Sequence, residues 1–225
     1  DFNLGYSCKK PNHLLKYLQQ MNFKSEALKK SGLFFENDKG YFDRFRSRLI
    51  FPINNKNGEI IGFAGRIIEN NDKIAKYINS PETPIYNKSK IFYGLDKSAE
   101  FIKKENSVII VEGYFDLMQL VKNGIKNVVA ISGTSFTDMH ATIIKQYTEN
   151  IYIAFDGDTA GEKAAIRTGY ILLRNSIDSK IIKVPENCDP DDWVKSNGPN
   201  IFLDSLNSSI HTINFHYTLF NKNEK

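Results

Sequence analysis

The feature that most constrains this chain is an alternation of two periods that begins at Ser107. Four short apolar runs, "SVIIV", "NVVAIS", "IYIAF" and "KIIKV", are separated by segments whose apolar residues recur at helical spacing. In "FDLMQLVKNG" Leu117, Leu120 and Val121 share one helix face before Gly124 stops it. "TDMHATIIKQYTEN" predicts a second helix capped by Thr137, and a third is expected from about Thr159 to Arg174. The fourth run ends at Pro185. Apolar strands joined by helices predict βαβ units, that is, an α/β fold whose parallel sheet carries helices on both faces.

This alternation gives the carboxylates a place. Glu112 directly follows the first strand, Asp156 and Asp158 the third, and Asp189 and Asp191 the fourth. All five fall at the C-terminal ends of parallel strands, the edge where open α/β sheets bind ligands. Like charges gathered there cost free energy unless a cation or a proton neutralises them. Glu112, Asp156 and Asp158 are therefore candidate catalytic residues. With Asp189 and Asp191 they are candidate ligands of a hard divalent cation, Mg²⁺ or Mn²⁺. Two such ions about 3.5–4 Å apart can clamp the oxygens of a phosphoryl transfer. Gly157 is read as the turn that lets both neighbouring carboxylates face one ion. Asp116 is either a carboxylate supporting Glu112 or a polar residue in a helix's first turn. Asp192 is expected to cap the next helix or face solvent. A plain loop capping a helix accounts for one aspartate of "FDGDTAGE", not for the set.

Residues 1 to about 105 are less regular. "HLLKYLQQMN" and "SEALKKSGL" read as short helices, with Gly32 a C-cap. "RLIFPI" and "EIIGFAGRII" predict a hairpin turning at Asn57-Gly58. The proline-bearing "INSPETPIYNKSKIFYG" is expected to be largely loop, and the tail beyond Trp193 a partial helical element. Basic residues concentrate in this half: Arg44, Arg46, Arg48, Arg66, Lys73, Lys76, Lys88 and Lys90, interleaved with Tyr and Phe. Were "DRFRSR" a strand, Arg44, Arg46 and Arg48 would all face one side, suited to phosphates. Tyr77 could stack on a base. The net charge of +4 thus hides a basic half beside an acidic one, the pattern of a polyanion partner and a metal site.

Other function classes recede. No apolar run approaches the roughly 20 residues needed to span a bilayer, so no membrane role is expected. Cys8 and Cys188 are too few and too far apart for a zinc site or a disulfide framework, which points to the cytoplasm. The four histidines, His13, His140, His211 and His216, lack metal spacing. No GxxxxGK[ST] loop is present to drive a nucleotide motor. The chain starts at Asp1 rather than Met and is expected to be a piece of something longer.

"VEGYFD", then "FDGDTAGEKAA", then "DPDD" resemble the toprim module of primases and topoisomerases. "FDRFRSRLIFPI", "IIGFAGRII", "KYINSPETPIYNKSKIFYGL" and "ISGTSFT" narrow the resemblance to bacterial DNA primases of the DnaG type, from about Leu4 to Gly198. The resemblance implies a DNA-dependent RNA polymerase that makes short RNA primers on a single-stranded DNA template from NTPs. It implies Mg²⁺ or Mn²⁺ at Glu112, Asp156, Asp158, Asp189 and Asp191, and nucleic-acid or NTP contacts at Arg46, Arg48, Arg66, Lys76, Asn79 and Lys88. It also implies a mixed α/β basic subdomain over 1–105, a toprim subdomain over 106–193 and the start of a helical subdomain over 194–225. The family's zinc-binding domain and its helicase-binding C-terminal domain are expected to lie outside these residues, leaving no zinc here and a replicative helicase as a partner reached elsewhere. The rival readings are a toprim-type nuclease and a non-catalytic single-stranded nucleic-acid-binding module.

Overall fold

The computed structural model describes residues 2–69 and 74–223, which form two compact units, Asp1–Lys88 and Ser89–Lys225. In the first, β1 (Gly5–Ser7), β4 (Arg48–Asn54), β5 (Ile60–Ile67) and β6 (Tyr77–Asn79) make an antiparallel sheet in the order β1-β4-β5-β6. The expected hairpin is β4–β5. Gly58 takes φ 83° in its turn, and the Asn55 side chain accepts the amides of Asn57 and Glu59. The helices α1 (His13–Gln20) and α2 (Ser25–Lys30) fall where helical spacing puts them. The first amides of α1 donate to the buried Asp43 carboxylate, from Leu14 at 2.9 Å and from Leu15 at 3.0 Å. A second hairpin, β2 (Phe34–Asn37) with β3 (Gly40–Asp43), is absent from the sequence reading.

The second unit holds a five-stranded sheet in the order β11-β10-β9-β7-β8. Its strands β7 (Val108–Val111), β8 (Val128–Ala130), β9 (Ile151–Ala154) and β10 (Ser179–Ile181) run parallel, and β11 (Ile210–His211) closes one edge antiparallel. Val108, Ile109, Ile110 and Val111 have no accessible surface, as expected of a strand covered on both sides. The flanking helices are α3 (Leu95–Glu105), α4 (Tyr114–Lys122), α5 (Asp138–Ile144), α6 (Thr159–Arg174), α7 (Pro190–Asn197), α8 (Pro199–Asn207) and α9 (Thr212–Asn223). This is the toprim-type α/β arrangement that the motifs imply.

Two element ends shift. The second helix was expected to run toward Asn150, but α5 stops at Ile144 because Thr148 and Asn150 hydrogen-bond to Asn106 instead, pinning the approach to β9. The fourth strand ends at Ile181, and the chain turns to pack residues 185–188 against Gly157. The tail belongs to the second unit. β11 pairs with β10, the Thr212 hydroxyl bonds to Ser179, and Phe202 and Phe215 are buried, so the tail packs onto the same sheet. The compact units divide at Lys88/Ser89, and α3 belongs with the second, where it packs on β8 and the Ser98 hydroxyl donates to Val128 O at 2.7 Å.

Candidate active site

β7 and β9 are neighbours in the sheet, yet the chain visits β8 on the far side of β7 between them. Connections therefore leave β7 and β9 in opposite directions, and the crevice beyond their C-terminal ends is a topological switch point. Glu112 leaves β7 and Asp156 follows β9 at that crevice, in a register that pairs Val111 with Ala154. The Asp156 amide donates to Glu112 Oε1 at 3.3 Å. Among the described residues neither carboxylate is in an ion pair.

The electrostatics follow from that crowding. Burial raises Glu112 to about 7, the charge of Asp156 adds to this, and the Asp156 amide opposes it. Burial, then the charges of Asp189 and Asp158, lift Asp156 to about 6. Asp116 is nearly inaccessible and rises to about 7, first by burial and then through Asp156 and Asp189. Asp116 thus lies within the acidic cluster. Its Oδ2 accepts the Gly113 amide at 2.9 Å and its Oδ1 the Asp191 amide at 3.2 Å, tying the start of α4 to the start of α7.

Asp158 and Asp189 both cap helices. Asp158 caps α6 by accepting the Gly161 amide at 2.7 Å, and Asp189 caps α7 by accepting that of Asp192 at 2.7 Å. The cap of α7 is therefore Asp189, and Asp192 supplies the capped amide from an exposed position. Each cap uses Oδ1 alone. Oxygens of Asp189, Asp191 and Asp192 lie within 4.8 Å of one another. Gly157 acts by close approach rather than by an unusual φ. A Cβ there would sit 1.9 Å from Pro185 O, and the Gly157 amide donates to Cys188 O at 2.8 Å, joining the loop of Asp156 to the loop of Asp189. A donor set of carboxylate oxygens, with Glu112 and Asp156 in no ion pair among the described residues, fits Mg²⁺ or Mn²⁺. Beside Asp158 an open cleft of about 720 Å³ is also lined by Lys163 and Lys183, two cations without a motif to reveal them.

The basic residues of the first unit separate into different roles. Residues 44–47 form a bend with Ser47 at φ 52°, so the alternate arginines of "DRFRSR" do not share a strand face. Arg48, expected at phosphates, sits inside the sheet. It is 5% exposed, and its guanidinium donates to Gly65 O, Lys76 O and Ala75 O at 3.1, 3.2 and 2.9 Å. It clamps the sheet from inside, and burial lowers its pKa. Arg44 is half-buried, whereas Arg46 and Lys76 are exposed. Arg66, Tyr77 and Asn79 share one sheet face through the pairings Arg66–Tyr77 and Ala64–Asn79. The Arg66 guanidinium lies 5.7 Å from the Tyr77 ring centroid, and that ring also meets Phe51. Lys88 is half-buried in a short 3₁₀ turn, Lys88–Lys90. Lys73 lies outside the described residues.

Comparison with known proteins agrees with this geometry. The family model for the N-terminal domain of the DNA primase catalytic core matches residues 1–99, and a toprim-like model matches 109–194. A DNA primase of Clostridium acetobutylicum is 39% identical over 217 residues, covering 95% of this chain and 35% of the relative. The chain spans about a third of the length of the curated relatives it matches. Among solved structures, a DNA primase domain from Pseudomonas aeruginosa superposes with a TM-score of 0.88 at 34% identity, covering 97% of this chain and 70% of that one. A DnaG primase catalytic domain bound to single-stranded DNA gives 0.86 at 32% identity, with 98% and 69% covered. No helix among the described residues is long and apolar enough to cross a membrane.

Proposed function

Since the chain belongs to the DnaG-type bacterial DNA primase catalytic-core family, we propose that it carries the nucleotidyl-transfer centre of a primase, extending RNA from NTPs on a single-stranded DNA template in the cytoplasm. The observation that carries this reading is the convergence of Glu112, Asp116, Asp156 and Asp189 at the switch point, with Glu112, Asp116 and Asp156 pushed toward neutrality by burial and then by neighbouring carboxylates.

Glu112, Asp156, Asp158, Asp189 and Asp191 would hold Mg²⁺ or Mn²⁺. A bound divalent ion supplies charge balance for phosphates and a lowered pKa for an attacking hydroxyl. The chain's own work is positioning. Asp116 holds the backbone of Asp191 and of Gly113 in place, and Gly157 lets the two acidic loops touch. Arg46, Arg66, Lys76, Asn79 and Lys88 are the candidate contacts for nucleic acid or NTP phosphates, read without base preference and with strong salt dependence. Arg48 supports them structurally. The replicative helicase is assigned to no residue of this chain.

The test is extension of a labelled RNA primer annealed to single-stranded DNA, with Mg²⁺ or Mn²⁺, beside Asp156→Asn/Asp158→Asn. A preformed primer removes the demands of initiation. Longer products that disappear in the variant support the polymerase. Shorter products point to a nuclease, and bound but unchanged strands to a binding module.

A further inference from the structure

The acidic edge is not electrostatically uniform. Around Glu112 and Asp156 no ammonium or guanidinium is in contact among the described residues. Around Asp191 a cation is built in. Lys195, one turn along α7, places Nζ 2.5 Å from Asp191 Oδ2 and 3.7 Å from Asp192 Oδ1. A Lys four residues after an Asp on a helix is ordinary by itself. Its location is what matters. Asp191 belongs to the carboxylate group whose oxygens lie within 4.8 Å of one another, and its side chain is only 13% exposed. Its amide is held by Asp116, so the backbone is fixed and the carboxylate alone is left to respond to a ligand.

We propose that Lys195 is a positioning residue, a resident counter-ion that holds the Asp191 carboxylate and that a divalent cation must displace. The Glu112–Asp156 side then takes a metal first, and the Asp191 side takes one only at higher concentration. Lys195 sets that separation. The inference rests on the metal reading of the acidic edge, and its test is arranged so that the two can fail separately.

Mn²⁺ binding is measured from the spin-resonance signal of free Mn²⁺ for the unmodified chain, Lys195→Met, Lys195→Arg and Asp156→Asn, with thermal melts to verify folding. The unmodified chain shows a tighter and a weaker class. Lys195→Met tightens the weaker class by about 3- to 5-fold, the range of a partly exposed ion pair, and leaves the tighter one alone. Lys195→Arg behaves like the unmodified chain, and added salt narrows the difference. Asp156→Asn removes the tighter class. If Lys195→Met leaves Mn²⁺ binding unchanged or weakens it while Asp156→Asn still removes the tighter class, the role given to Lys195 is wrong and the metal reading stands. If Asp156→Asn changes nothing, the metal reading falls and takes the inference with it.

Discussion

The two units handle charge in opposite ways. In the second, carboxylates from three loops converge on one sheet edge, where burial and then neighbouring charge raise the pKa values of Glu112, Asp116 and Asp156, and among the described residues Glu112 and Asp156 have no internal counter-ion. In the first, the buried Arg48 donates to three backbone carbonyls, while Arg46 and Lys76 stand in solvent. Buried charge that meets its partners inside the fold is structural, because a guanidinium that spends three of its five donors on backbone carbonyls is held by the sheet. Buried charge left in conflict is held for something that arrives from outside. The contrast teaches that burial and charge do not identify a site until the partners have been counted.

The largest effect that could break this contrast is at Asp156. Replacing it with Asn should lower primer extension on the order of 10²–10³-fold, a loss typical of removing one electrostatic group from a reacting centre. Single-stranded DNA affinity, measured by fluorescence anisotropy, should stay within about 2-fold because the phosphate contacts are assigned elsewhere. Arg48→Met comes next. It leaves the carbonyls of Gly65, Ala75 and Lys76 without their charged donor and should cost about 3 kcal/mol, a fall in Tm of roughly 6–12 °C by calorimetry. A variant that melts normally yet binds DNA poorly would return Arg48 to the ligand-binding set.

A smaller effect concerns pH. With EDTA present, the folded pKa values of Glu112, Asp116 and Asp156 lie above those of the unfolded chain, so the folded state binds more protons. Stability is then highest below about pH 4–5 on this account and is lost as pH rises through 6 to 7. Solvent screening at the partly exposed Asp156 limits the total to about 2 kcal/mol. Melting curves across pH 5 to 8 should show this decline, and Asp156→Asn should flatten it. Smallest is Arg46→Ala. It should weaken single-stranded DNA binding by about 3-fold, make the salt dependence shallower, and change stability by less than about 0.5 kcal/mol.

How much was legible follows the same division. The helix from Thr159 to Arg174, the cap at Thr137 and the β4–β5 hairpin stand in the sequence because each is specified by residues adjacent in the chain. The strand-end placement of the carboxylates was legible for the same reason. The α3 helix was hidden because the polar Ser98 occupies its buried face and breaks the apolar pattern. The bend at residues 44–47, set by Ser47 in the left-handed region, carries no proline or glycine to announce it. Asp116 could not be assigned because the amide that defines it belongs to Asp191, 75 residues on. Gly157 was noticed for the wrong property, since its role lies in contact with Pro185. Lys195 carried no signal beyond a common helix spacing.

An acidic edge built for a divalent cation should be stabilised by one, which Tm at pH 8 with and without Mg²⁺ reports for the unmodified chain and for Asp156→Asn. The unmodified chain should gain several degrees from Mg²⁺ by mass action, while the variant, already more stable than the unmodified chain without metal, should gain almost none. Equal gains in both proteins would contradict it.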